Sequence, residues 1–278
     1  MSKLTRKNVC GSNFSYHHHR FESFLDDMES LDLRSIELWG IAPHFHIPTI
    51  TDAEVGEIAK NFAHRDMKVV CLTPEQVLYP VNIASGDRSV RTASIDLFKR
   101  GAQICAQLGS PYLFLTPGRG YEDEPMEEGW KRSAESLSIV GEYAASLGVP
   151  CLFESLQRFE TNLVKSLEDM RRMVSDMDDS NYRFVLDTCA MSAAGDTIDD
   201  YFEAFPGKIA HVHLVDGTPS GHLAWGDGEL PMYRFVEELE KNGYEGLLTF
   251  EVFGNGSYAL RPKRTLERCL AEFDKATT

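Results

Sequence analysis

Short apolar runs alternate with longer amphipathic stretches from one end of the chain to the other. The apolar runs fall at residues 8–14, 34–39, 68–73, 111–116, 150–154, 183–187, 209–215 and 247–252. Each is five to seven residues long and rich in β-branched, aromatic or leucine side chains, the pattern of a strand buried on both faces. Between them, Asp52–Phe62, Val90–Leu108, Trp130–Leu147 and Leu167–Met177 carry the three- and four-residue apolar spacing of helices with one buried face. Gly109 and Gly148 follow helical runs as stop signals, and Pro111 and Pro150 stand at strand starts, where a missing N–H is tolerated. Eight such units of about 35 residues each predict an α/β fold, a single (β/α)8 TIM barrel. An open doubly wound sheet would not need eight units. No linker or compositional break divides the chain, so residues 1–278 are expected to form one domain.

Four of the runs end on side chains that bind metals. CLFE ends at Glu154, FVLD at Asp187, HVHL contains His213, and LLTFE ends at Glu251. In a closed parallel barrel the carboxyl ends of the strands converge on one mouth, where the active sites of such barrels lie. Taken singly, each residue has a plain structural role: a helix cap for an acid, a satisfied buried ring for the histidine. Together they place three carboxylates in one space, where they repel unless protons or a cation compensate. Oxygen donors with one imidazole suit a divalent ion such as Mn²⁺, Co²⁺ or Mg²⁺, and Zn²⁺ also accepts this set.

Several loops after the strands are long, and long loops in a compact domain are often functional. They run Phe14–Phe21, Gly40–Ile50, Thr73–Asp87 and Asp216–Pro231. Glu75, Tyr79, His44 and Trp225 on these loops are expected to contact substrate, with Trp39 and Phe45 helping to wall the pocket. His211 shares the strand face of His213 but lies deeper, which predicts a supporting or packing role. In His17-His18-His19, three consecutive rings cannot face one site. The sequences PGRG (117–120) and GDG (226–228) match no phosphate-binding pattern and predict tight turns.

Composition adds exclusions. The formal charge of −15 argues against a sequence-independent grip on nucleic acid. No stretch nears ~18 consecutive apolar residues, so no membrane span is expected. The six cysteines form no CxxC pair, and Cys71 and Cys151 lie within apolar runs. That usage predicts reduced core thiols and a cytoplasmic protein.

These residues resemble the xylose isomerase-like barrels of sugar isomerases, epimerases and endonuclease IV. The marks are IELWG at 36–40, the Glu of LFES, the Asp of VLDT, the second His of HVHLVD, the GDGELP loop and the Glu of LTFEV. Within that superfamily, IELWGxxPH (36–44), TPExxxYPxN (73–82) and DxCA (187–190) are most similar to the ketose 3-epimerases, fructoselysine 3-epimerase among them. The resemblance implies that Glu154, Asp187, His213 and Glu251 hold one divalent metal and that Glu154 and Glu251 form the acid/base pair. It implies that Glu160 and His222 touch the substrate. It also implies inversion at carbon 3 of a small-molecule ketose or ketosamine through an enediolate, and a homo-oligomer, dimer or tetramer. Two positions depart from the pattern. Ala190 stands where many ketose 3-epimerases carry a His, and Pro219 where they carry an Arg. Both of those side chains hold sugar oxygens, so their replacement fits a different head group, such as an amine-bearing ketose. An aldose–ketose or hydroxypyruvate-type isomerase and a sugar or polyol dehydratase would use the same metal site. An endonuclease-IV-like nuclease would need further metal ligands near Asp187 and in place of Ser220, and a non-catalytic sugar-binding protein would not need two acids.

Overall fold

In a computed structural model describing residues 3–76, 80–178 and 180–278, eight parallel strands close into a barrel. Their order around it is their order in the chain. They are β1 (Val9–Ser12), β2 (Ser35–Gly40), β3 (Lys68–Pro74), β4 (Leu113–Leu115), β5 (Cys151–Phe153), β6 (Tyr182–Asp187), β7 (Ile209–His213) and β8 (Leu247–Thr249). The surrounding helices are α1 (Phe21–Ser30), α2 (Asp52–His64), α3 (Arg88–Leu108), α4 (Met126–Ser146), α5 (Leu167–Asp176), α6 (Thr188–Ala194), α7 (Ile198–Ala204), α8 (Met232–Lys241) and α9 (Pro262–Ala276).

Local chemistry starts and stops these helices where the sequence signals it. Thr51 and Glu54 form a reciprocal capping box at α2, and Thr197 and Asp200 do the same at α7. The Asp87 carboxylate accepts from the amides of Ser89 and Val90 at the start of α3. That helix ends on Gly109 with φ of 67°, a left-handed conformation that costs glycine no Cβ clash.

Several strands are shorter than their apolar runs. The run at 111–116 yields a three-residue strand, and those at 209–215 and 247–252 yield ladders ending at His213 and Thr249. Pairing stops where the chain turns outward over the barrel rim, although the apolar side chains beyond stay buried. Glu154 and Glu251 therefore follow their strands by one and two residues rather than closing them.

Most of the core lies between the barrel and its helices. Inside the barrel, Cys71, Phe114, Leu152 and Val185 from β3 to β6 form a second, small apolar cluster. All six cysteines are buried and unpaired. Among the described residues no helix is long and apolar enough to cross a membrane.

Candidate metal centre and active site

Register sets the site. Asp187 pairs with His213 across β6 and β7, and His213 pairs with Thr249 across β7 and β8. One level of the barrel thus carries both ligand candidates at strand ends, with Glu251 two residues above Thr249. Glu154, Asp187, His213 and Glu251 are all at most 5% exposed. His213 Nδ1 lies 2.7 Å from Glu154 Oε1 and 3.3 Å from Glu251 Oε2. Donor atoms of Glu154, Asp187 and His213 fall within 4.8 Å of one another, as do those of Asp187, His222 and Glu251.

Asp187 combines two of the roles that its sequence position allowed. It ends β6 and caps α6, its Oδ1 accepting from the Ala190 amide at 2.5 Å. Its Oδ2 faces His222 Nε2 at 3.1 Å. Capping consumes one lone pair of one oxygen and leaves the rest of the carboxylate facing the site.

A divalent cation fits these residues. Glu154 Oε1 and His213 Nδ1 are buried and close, yet neither has an aligned hydrogen-bond partner. Both atoms direct lone pairs toward shared space, the arrangement that a cation resolves. Without one, protons take its place. Burial pushes the Glu154 carboxyl up to about 8, with His213 opposing and Glu251 and Asp187 reinforcing the rise. Burial disfavours the charged form of His213, but Glu251, Glu154 and Glu37 overcome this and hold it well above the usual histidine range. His222 is likewise opposed by burial and raised by Asp187 and Glu251, to about 10.

A cavity of about 480 Å³ opens above this cluster. Glu154, Glu251 and His222 line its floor; Phe14, Trp39, Phe114, Leu156, Phe159 and Phe253 line its walls; and Glu75, Gln76, Glu160 and Arg119 supply polar groups. Burial raises both Glu75 and Glu160, with His222 opposing the rise at Glu160. Glu160 accepts from the Gln157 amide at 3.0 Å.

His222 reaches the cluster from the long loop after β7. The Asp216 carboxylate pins that loop by accepting from the amides of Gly217, Gly226, Gly228 and Leu230. A Cβ at Gly228 would lie 2.3 Å from Asp216 Oδ1, so the GDG turn needs glycine there. His222 itself has φ of 46°, a backbone strain that the surrounding contacts must hold. Buried Gln157 supplies two of these contacts, to His222 Nδ1 at 3.1 Å and from the Gly221 amide at 3.0 Å.

Three residues expected at the pocket lie elsewhere. His44 has both ring nitrogens engaged, by Asn13 and by the His19 carbonyl, and does not line the cavity. The Trp225 indole donates to the Leu214 carbonyl at 2.9 Å and packs on the outer side of the β7 loop. Phe45 is fully buried core. In each case the side chain points away from the mouth although its loop stands at the rim. Tyr79 lies outside the described residues. Of the three consecutive histidines, His17 bonds the Phe14 carbonyl and packs at a tilt against His18.

Sequence reasoning passed over Arg119, Gln157 and Glu37. Arg119 belongs to the PGRG turn, where Gly118 has φ of 69°. Its guanidinium bonds the Phe159 carbonyl and Glu122 while lining the cavity. Glu37, inside the IELWG motif, is the only charged side chain of its strand. That lone acid in an apolar run was the available signal.

Comparison with known proteins bears on the fold and the class of reaction. Fructoselysine 3-epimerase of Escherichia coli O157:H7 is 27% identical over 228 residues, covering 81% of this chain and 83% of that protein. L-ribulose 3-epimerase of Mesorhizobium japonicum is 26% identical over 209 residues, covering 73% and 68%. A crystal structure of D-psicose 3-epimerase with D-tagatose from Clostridium cellulolyticum H10 shares the fold, with a TM-score of 0.78 over 97% of this chain and 98% of that one, at 18% identity. The chain is an enzyme that epimerises or isomerises sugars. Residues 25–271 match the description "Xylose isomerase-like TIM barrel", and the chain belongs to that family.

Proposed function

We propose that this enzyme is a divalent-metal-dependent 3-epimerase of a ketose or ketosamine, acting as one barrel domain over residues 1–278. The observation that carries the proposal is the pair of glutamates flanking His213 Nδ1, at 2.7 Å for Glu154 and 3.3 Å for Glu251. Epimerisation at carbon 3 removes a proton from one face of the sugar carbon and returns one to the other, so it needs two proton-transfer groups around one centre. The epimerase relatives support the same reaction.

Glu154, Asp187, His213 and Glu251 would hold the cation. When bound, it supplies Lewis-acid stabilisation of the negative charge that develops on the sugar's oxygens. The chain's own residues do the rest. One glutamate takes the carbon-3 proton as base and the other, protonated, delivers a proton to the opposite face. Trp39, Phe114 and Phe253 exclude water and cover the apolar faces of the sugar. His222 and Glu160 bond the hydroxyls.

Ala190 and Pro219 withhold the His and Arg that many ketose 3-epimerases direct at sugar oxygens, whereas Glu75 and Glu160 add acceptors to the cavity. This balance favours an amine-bearing ketose of the fructoselysine type over a free ketose. The test is turnover in deuterated water with Mn²⁺ on ketosamines, free ketohexoses and hydroxypyruvate. Deuterium at carbon 3 with inversion, fastest on the ketosamine, is expected. Carbonyl migration would replace this reading with an isomerase, and loss of water with a dehydratase.

A further inference from the structure

Below the candidate metal centre, the barrel interior holds a carboxylate that the reaction does not touch. Glu37 on β2 is 0% exposed. Its Oε1 accepts from the Thr73 hydroxyl at 2.7 Å, and its Oε2 lies 3.0 Å from His211 Nε2. Both oxygens lie 3.3 Å from His213 Nε2. His211 Nε2 is also 3.0 Å from the Thr249 hydroxyl. Four strands thus contribute to one buried polar cluster directly beneath the candidate ligand histidine.

The chemistry of the carboxylate sets the direction of these bonds. An ionised carboxylate only accepts, so the nitrogens facing it carry the protons. His213 Nε2 therefore carries a proton, and its other nitrogen, Nδ1, which faces Glu154 and Glu251, is the one left to bind a cation once its own proton is lost. A buried ion cluster also costs more desolvation than a well-packed apolar core of the same volume. The neighbouring interior of β3 to β6 shows that this barrel can fill the same depth with Cys71, Phe114, Leu152 and Val185. Packing alone does not explain Glu37.

We propose that Glu37 is the positioning residue of the metal centre: it holds the Nε2 proton of His213 and so fixes the tautomer and ring orientation that present Nδ1 as a ligand. The inference rests on the metal-centre reading above and assigns a role to a residue that touches neither metal nor sugar. Thr73 and His211 keep the carboxylate in place, which makes the arrangement an outer layer of hydrogen bonds around the ligand set.

The experiment titrates Mn²⁺ into metal-free wild type and Glu37→Gln by calorimetry, alongside thermal unfolding of both metal-free proteins. An amide keeps the shape but presents its own N–H groups to two donors. Affinity is expected to fall roughly 10–100-fold, and the metal-free midpoint is expected to fall as well, because His211 and His213 lose the buried charge that faces them. A purely structural role lowers the metal-free midpoint but leaves affinity within about twofold of wild type. That result overturns the proposal. Glu37→Asp, which restores the charge on a shorter arm, is expected to bind Mn²⁺ more tightly than Glu37→Gln; equal or weaker binding counts against the proposal. If Glu37→Gln does not fold, ¹⁵N NMR of Zn²⁺-loaded wild type decides the matter. A protonated Nε2 and a bare Nδ1 on His213 support the proposal, and the opposite tautomer overturns it. Wild type that binds neither ion would sink the metal reading itself, whereas equal binding by wild type and Glu37→Gln sinks only this inference.

Discussion

The two halves of the barrel interior differ in kind. Strands β3 to β6 contribute Cys71, Phe114, Leu152 and Val185, an apolar filling that needs no partners. Strands β2, β7 and β8, with Thr73 at the edge of β3, contribute Glu37, His211, His213 and Thr249, each bonded to another member of the group. The halves meet where the Phe114 ring lies 5.4 Å from the His213 ring. The apolar half contributes by excluding water. The polar half orients one imidazole at the cost of desolvating a carboxylate. Below the mouth, packing and ligand orientation thus fall on different sides of one barrel, and substitutions on the two sides should fail in different ways.

The largest effect is expected at the mouth, where Glu154 rises from the apolar half and Glu251 from the polar half. Glu154→Gln and Glu251→Gln should each lower exchange of the carbon-3 proton with solvent by roughly 10²–10⁴-fold or more. Far-UV circular dichroism should show the fold intact, and near-wild-type exchange in either variant would remove the acid/base assignment. In the apolar half, Leu152→Ala should cost about 2–5 kcal/mol in denaturant unfolding. Mn²⁺ affinity of the folded protein should hold; if it collapsed with stability, the two halves would not be separable.

Chelation tests the mouth as a whole. Metal at a hundredfold excess over its Kd stabilises the fold by about 2.7 kcal/mol, so EDTA should lower the thermal midpoint and Mn²⁺ should restore it. The metal-free protein should also lose stability as pH rises. Glu154 at about 8 and His222 at about 10 bind protons more tightly folded than unfolded. Their contribution is fully present below their unfolded pKa values and is lost as pH climbs through the folded ones. A metal-free midpoint that rose from pH 5 to 9 would contradict this charge balance. The smallest effect is expected at Thr249→Val, which removes one hydrogen bond to His211. It should cost about 0.5–1.5 kcal/mol in unfolding and leave turnover within a few-fold of wild type.

Much of this molecule was legible in the chain. Eight apolar runs separated by amphipathic ones predict the barrel, because a strand covered on both faces leaves an unbroken hydrophobic signature. The same register predicts that Glu154, Asp187, His213 and Glu251 meet, since the strand ends of a closed barrel converge. Loop side chains were less legible. His44, Phe45 and Trp225 stand on rim loops, yet all three turn into the protein, His44 to bond Asn13 and His19, Trp225 to bond Leu214. Position on a loop gives proximity to the mouth, whereas direction depends on partners far away in sequence.

The sequence by itself determined the architecture and the ring of metal-capable residues, because both follow from periodicities of a few residues repeated along the chain. Only the tertiary structure decided which nitrogen of His213 faces the carboxylates, how Asp216 and Gln157 deliver His222, and why an acid stands inside IELWG. Asp216 acts within its own loop, but Gln157 reaches His222 across 65 positions, and Glu37 reaches Thr73 and His213 across 36 and 176, separations that no local pattern encodes. The hydrogen bond from His213 to Glu37 exists because the barrel closes, and closure is a property of the whole chain.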